Sequence, residues 1–167
     1  AFMLVRPAEP GPHEVINDAD ADLANFWRAL KADGDAVARH ADWPRNEADL
    51  HARHRWLRTS PDAADHRRLV KEDPRYYDAE WAGWWAWGVS TAIPGNWQAT
   101  NPRNGRPNAL RQGVHAVRGV DRLHACAERM RNVLVLCGDW RRAVASDSSL
   151  GLVWHSHCGV FFDPPYS

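Results

Sequence analysis

The chain has 167 residues, 44% hydrophobic and 25% charged, with basic and acidic groups in equal number and a formal net charge of +0. That composition fits a globular protein long enough to bury a substantial core, and it excludes a wholesale basic coat for nucleic acid. Three scattered cysteines (Cys126, Cys137 and Cys158) give no disulfide framework, residues 1–5 are too short for a signal peptide, and no apolar run approaches the ~20 residues of a membrane span, so a cytoplasmic chain with no membrane partner is expected.

In chain order, residues 14–16 read as the end of a strand, followed by Asn17-Asp18-Ala19-Asp20 with turn and N-cap chemistry. Leu23, Phe26, Trp27 and Leu30 then recur at i, i+3, i+4 and i+7, the apolar face of a helix. Pro44 opens a second predicted helix with Leu50 and Leu57 inward, and Ser60-Pro61-Asp62 starts a third that Asp73-Pro74 ends. Asp78 is placed to cap a fourth carrying Trp81, Trp84, Trp85 and Gly88, a tryptophan cluster expected in the core.

Residues 93–119 contain Pro94, Gly95, Pro102, Gly105, Pro107, Gly113 and Gly119 and few apolar residues. They read as a loop or lobe, longer than a compact domain keeps without a purpose. Charge concentrates here and beyond: residues 101–142 hold nine arginines against three acids, which suits either a solvated face or a DNA-facing patch. In the loop, Trp97 is a candidate contact to DNA, and Arg103, Arg106 and Arg111 are candidates to read guanine or touch phosphate.

Order returns at Asp121, a predicted N-cap for a helix with Leu123, Cys126, Ala127 and Met130 at helical spacing. Val133–Cys137 is a continuous apolar run, the pattern of a strand buried on both faces in a parallel sheet. It ends in Gly138-Asp139-Trp140. A further strand-like run, Cys158-Gly159-Val160-Phe161-Phe162, ends in Asp163-Pro164-Pro165-Tyr166. Three predicted strands thus each end in an acid, and an open α/β sheet binds its ligand at the carboxyl ends of its strands. Asp18, Asp139 and Asp163 are therefore expected to converge on one crevice.

The last tetrapeptide is either a rigid turn or a site. Neither proline has an N–H, and each stiffens the backbone before it. The carboxylate of Asp163 and the carbonyl of Pro164 would form an acceptor-only pocket suited to an exocyclic amine, with the Tyr166 ring placed to stack on a flat base. Accepting both hydrogens of such an amine draws its nitrogen toward a tetrahedral shape, and the carboxylate stabilises the positive charge that develops as a methyl group arrives. The base must leave the duplex to reach this pocket. Of the histidines, His51 and His54, with His40 nearby, have a spacing that permits a metal, but no cysteine or matched carboxylate completes a set, and no metal is expected. His155 and His157 read as loop residues.

At Val15-Ile16-Asn17-Asp18-Ala19-Asp20 with Asn25-Phe26-Trp27-Arg28, at Val135-Leu136-Cys137-Gly138-Asp139-Trp140, and at Asp163-Pro164-Pro165-Tyr166, the chain resembles the Dam-like family of adenine-specific DNA methyltransferases, in particular its phage-type branch. The resemblance implies a partial Rossmann-like α/β methyltransferase sheet, formed by residues 1–40 and 120–167, with a helical and loop target-recognition insertion at 41–119. It implies S-adenosylmethionine as cofactor, with Asp18 on its ribose hydroxyls, Asp139 accepting from its adenine amine and Trp140 packed on that ring. Asp163, Pro164, Pro165 and Tyr166 would be catalytic, and the partner would be double-stranded DNA with a flipped adenine, in a restriction-modification or phage setting. The family's glycine-rich cofactor loop would precede Ala1, leaving only its helix at residues 2–6, and further strands would follow Tyr166, so residues 1–167 alone are expected to be inactive. Two other readings stay open: a catalytically inactive nucleic-acid-binding remnant, and a methyltransferase acting on RNA or on a protein amide.

Overall fold

The computed structural model describes residues 14–92, 97 and 119–144. The order of elements is β1 (Glu14–Asp18), α1 (Ala21–Ala32), α2 (Gly34–Ala41), α3 (Glu47–Thr59), α4 (Asp62–Glu72), α5 (Ala79–Thr91), α6 (Gly119–Met130), β2 (Val133–Cys137) and the single turn α7 (Arg141–Val144). The described residues are thus mostly helical, around one two-stranded sheet. β1 and β2 pair in parallel, with Glu14 opposite Val133 and Asp18 opposite Cys137. A parallel pair needs a crossover connection, and the described part of this one contains six helices.

Local signals set the helix starts. Asp20, Asn46 and Asp78 each cap a helix N-terminus, accepting from the backbone amides of Asp22, of Ala48 and Asp49, and of Trp81 respectively. Asp33 ends α1 and caps α2 through Ala36 N at 3.1 Å. The helix expected from Pro44 begins three residues later, because Asn46 supplies the side-chain acceptor that proline cannot. The helix expected from Asp121 begins at Gly119, which puts Asp121 in its first turn, where a carboxylate complements the helix dipole.

The core lies where α1, α2, α5 and α6 meet. Phe26, Leu30, Val37, Ala82 and Leu123 form one cluster, and each fully buried aliphatic side chain there contributes roughly 1.5–3 kcal/mol. A second cluster joins Leu50, Leu57, Trp81, Trp87 and Trp97; Trp81 and Trp87 of α5 are buried in it, Trp84 packs against it, and Trp85 packs against both clusters and bridges them. The helices of residues 41–119 therefore share a core with α1 and α2.

The polar face of α1 is as structural as its apolar face. Asn25 Nδ2 donates to Asp78 O and Asn25 Oδ1 accepts from Asp78 N, both at 2.9 Å. Arg28 donates to the carbonyls of Val70, Asp73 and Tyr76 at 2.7–2.9 Å, satisfying the end of α4 and the link to α5. Arg129 of α6 grips Glu14 of β1 with both ends of its fork, one bond at 2.6 Å.

One expectation for β2 is corrected. Among the described residues the strand is covered on one face only. Val135 and Cys137 pack on the cluster of Ala21, Ala24 and Val70, while Leu134, on the opposite face, is 43% exposed. Strand side chains alternate between faces, and the described sheet carries its helical cover on one side.

His66 makes stability depend on pH. Its ring stacks on Trp81 with centroids 4.0 Å apart and 12° between planes. Nδ1 lies 2.9 Å from the Tyr76 hydroxyl, and Nε2 is buried with no hydrogen-bond partner among the described residues. Burial lowers its pKa from 6.5 to about 4. The unfolded chain takes up this proton first as pH falls, so the stabilisation is complete above about 6.5 and is lost progressively down to about 4, by at most about 3 kcal/mol. Urea unfolding of the parent and of His66→Gln across this range checks it. The parent's slope with pH should exceed the variant's, and equal slopes would remove His66 from the account.

Candidate functional site

The parallel pairing of β1 and β2 brings their carboxyl ends side by side. Gly138 N donates to Asp18 O at 2.9 Å, and Asn17 Nδ2 donates to Gly138 O at 3.0 Å, so the residues after β2 are clamped to the end of β1. Gly138 has φ +141°, a conformation that other L residues rarely adopt, and a Cβ there would meet Arg142 Nη1. This bend turns the chain from β2 toward α7 and sets Asp139 and Trp140 beside the Asp18 turn.

Asp18 is half-buried and uses Oδ1 to accept from Asp20 N at 2.8 Å. Oδ2 makes no hydrogen bond among the described residues. Asp20 in turn accepts from Asp22 N at 2.9 Å. Burial, and then the charge of Asp22, push the Asp20 carboxyl above its ordinary range. Asp22 is fully buried. Its Oδ1 accepts from Trp81 Nε1 at 3.1 Å, and its Oδ2 accepts from Arg58 Nη1 at 3.2 Å and Arg67 Nη2 at 3.3 Å. Arg58 Nη2 also donates to Trp97 O at 3.1 Å. A ladder of hydrogen bonds thus runs from Asp18 through Asp20 and Asp22 into α3, α4 and the backbone at Trp97.

Asp139 is exposed. Its Oδ1 accepts from Arg141 N at 2.8 Å and its Oδ2 from Arg141 Nη1 at 3.0 Å. The Arg141 backbone amide first, and then the Arg141 charge, hold this carboxyl below the ordinary range. Each oxygen keeps a second lone pair for another donor. Trp140 is 48% exposed, with the Arg141 guanidinium 5.1 Å from its ring centroid. At the adjacent ends of the two strands, then, the chain places an anionic acceptor, a half-exposed indole and a half-buried carboxylate whose Oδ2 makes no hydrogen bond among the described residues. Together the two carboxylates can accept from hydroxyls or an amine, while the half-exposed Trp140 ring carries the Arg141 guanidinium.

Of the sequence-predicted site residues, Asp18 ends β1, and Asp139 and Trp140 follow directly on Gly138, whose amide bonds the Asp18 carbonyl. Asp163, Pro164, Pro165, Tyr166 and the strand expected before them lie outside the described residues, as do Arg103, Arg106 and Arg111. Trp97 is corrected: its side chain is core, 3% exposed. The ring lies edge-on to His54 with centroids 5.0 Å apart and fits over Gly88, where any Cβ would collide with it. Its carbonyl accepts from His54 Nε2 at 3.0 Å as well as from Arg58. A ring so enclosed has no face left for a base.

Sequence reasoning missed Asn17, Gly138, Asp22 and Arg58 as parts of this site. The alternation Asp18-x-Asp20-x-Asp22 is visible in the chain, but its partners are far away in sequence. Among the described residues, no group of three or more His, Cys, Asp or Glu is arranged to hold a metal, and no helix is long and apolar enough to cross a membrane. His51 faces Glu47 at 3.7 Å and His40 faces Glu80 at 3.8 Å.

Comparisons with protein-family profiles, with curated proteins and with solved structures find no match to this chain.

Proposed function

We propose that the chain belongs to an S-adenosylmethionine-dependent methyltransferase that methylates the N6 amine of adenine in DNA, with β1 and β2 as part of a Rossmann-like sheet. The observation that carries the reading is the juxtaposition of Asp18 and Asp139 at neighbouring carboxyl ends of a parallel strand pair, with Trp140 exposed beside them. The Asp163-Pro164-Pro165-Tyr166 motif supplies the rest from sequence.

The donor set fits the cofactor. Asp18 Oδ2 is an open acceptor for a ribose hydroxyl, Asp139 retains lone pairs for an adenine amine, and Trp140 offers the face on which a purine packs. S-adenosylmethionine, when bound, supplies an electrophilic methyl group. Asp163 and the Pro164 carbonyl then accept the two hydrogens of the target amine, and Tyr166 stacks on the extruded base, contributing ~1–3 kcal/mol toward the cost of flipping. The amine loses its proton after transfer, so no strong base is required. Most of the rate advantage comes from alignment and from the carboxylate facing the developing charge.

The test is methyl transfer by the full-length protein from labelled cofactor to DNA, RNA and protein. Label in DNA, recovered as N6-methyladenine, is expected. Label confined to RNA or protein would overturn the DNA assignment, and no label anywhere with DNA binding intact would point to an inactive remnant.

A further inference from the structure

Arg53, on α3, stands in an unusual setting. Its guanidinium carbon lies 4.7 Å from the ring centroid of Trp43, 5.1 Å from that of Trp84 and 4.7 Å from that of Trp87. Indole faces attract a guanidinium through the ring quadrupole, and three of them surround this one. The box is itself well held, since Trp87 is fully buried and its Nε1 donates to Trp43 O at 2.8 Å. Trp43 Nε1 donates to Asp49 Oδ2 at 2.7 Å.

Yet this arginine makes no hydrogen bond and no ion pair among the described residues. Nη1 is buried without a partner, while Nε and Nη2 are not buried and have no acceptor among the described residues. The two carboxylates whose charge reaches Arg53 are otherwise engaged: Asp49 accepts from Trp43 Nε1, and Glu80 faces His40 at 3.8 Å. A residue with five N–H donors normally uses them when half-buried. Here a planar pair of parallel donors is oriented and left open, beside a Trp43 ring that is 44% exposed.

We propose that Arg53 and Trp43 form a nucleic-acid contact site, in which Nε and Nη2 donate side by side to a paired acceptor on DNA and Trp43 lies against the same strand. For the identity of its ligand the inference rests on the DNA-methyltransferase reading, and it replaces Trp97 with an accessible aromatic. The paired acceptor can be the O6/N7 edge of guanine or two oxygens of a phosphate, which present the same geometry to the arginine fork.

The test uses the full-length protein, double-stranded oligonucleotides that differ at single G·C pairs, and the variants Arg53→Gln and Arg53→Lys. Arg53→Gln should weaken duplex binding about tenfold. If the acceptor is guanine, both variants lose discrimination at one G·C position, because lysine cannot supply the fork. If it is phosphate, the slope of log affinity against log salt falls by about 1 in Arg53→Gln and is restored in Arg53→Lys. In the unsubstituted protein the Arg53 Nε–H resonance, assigned by its absence from Arg53→Lys, should shift when duplex is added, which reads the contact without relying on a variant's fold. No shift of that resonance, or no duplex binding by the parent, overturns the site. Arg53-dependent duplex binding without methyl transfer would leave the site standing and remove the methyltransferase reading instead.

Discussion

Asp22→Ala is expected to destabilise the protein by about 3 kcal/mol, near the low end for breaking a buried ion pair. The carboxylate is fully buried and is shared by Arg58, Arg67 and the Trp81 indole. Its removal leaves two guanidinium groups facing each other across a small void, with an indole N–H that has lost its acceptor. The cost stays at the low end because both arginines keep other bonds. Arg58 still donates to Trp97 O, and Arg67 to Leu57 O at 2.7 Å and Ala63 O at 3.3 Å. For a chain of this length the melting temperature should fall by roughly 10 °C. Asp22→Asn should cost less, because an amide oxygen still accepts from the Trp81 indole, although the charge is gone. Thermal unfolding of the three proteins side by side checks the order. An Asp22→Ala variant that melts with the parent would mean that the arginines are satisfied without it.

This prediction also marks where the sequence is opaque. Asp22 stands in the first turn of α1, where an acid ordinarily faces solvent and complements the helix dipole. Nothing local shows that the helices of residues 41–119 close over it with two arginines. Asn25 and Arg28 are similar: they lie off the apolar stripe of Leu23, Phe26, Trp27 and Leu30 and read as solvent-facing, yet both bond backbone groups around the α4–α5 link. What was legible is what short range decides. The caps at Asp20 and Asp78, the period of α1 and the apolar run of β2 each depend on residues within a turn or two.

Trp97 shows the limit from the other side. The Gly- and Pro-rich composition around it signals a loop, and an aromatic in a loop suggests a contact. Its burial depends on Gly88, a residue in a helix otherwise crowded with indoles, which leaves room for the ring to lie flat against α5. A glycine inside a helix costs about 1 kcal/mol relative to alanine, so Gly88 was itself a signal that something large approaches there. The two strands that end near Asp18 and Asp139 were legible in outline, Val133–Cys137 from its apolar run and residues 14–16 from Val15-Ile16 before a turn. The clamp of Asn17 and Asp18 on Gly138 was not, since one bond joins two backbones and the other joins a side chain to a backbone 121 residues away.

Asp163→Ala and Asp18→Ala in the full-length protein should separate turnover from cofactor binding. In the proposed mechanism Asp163 touches only the target amine, and its contact strengthens as positive charge grows on nitrogen. Such a group lowers the barrier without holding the cofactor. Its loss should therefore reduce kcat by at least about 10³-fold while cofactor affinity changes little. In the same proposed mechanism Asp18 offers Oδ2 to the ribose, while Oδ1 accepts from Asp20 N and sets the turn there. Removing it deletes a charge-assisted acceptor, and cofactor affinity should weaken by on the order of tenfold or more. Saturating cofactor should then recover much of the kcat of Asp18→Ala and none of that of Asp163→Ala. The two profiles differ in kind as well as in size, so a general loss of fold cannot imitate them: a variant that merely unfolds loses binding and turnover together. If Asp163→Ala turned over normally, the acceptor pocket would lie elsewhere. If Asp18→Ala bound cofactor as the parent does, the carboxyl ends of β1 and β2 would not be the cofactor site.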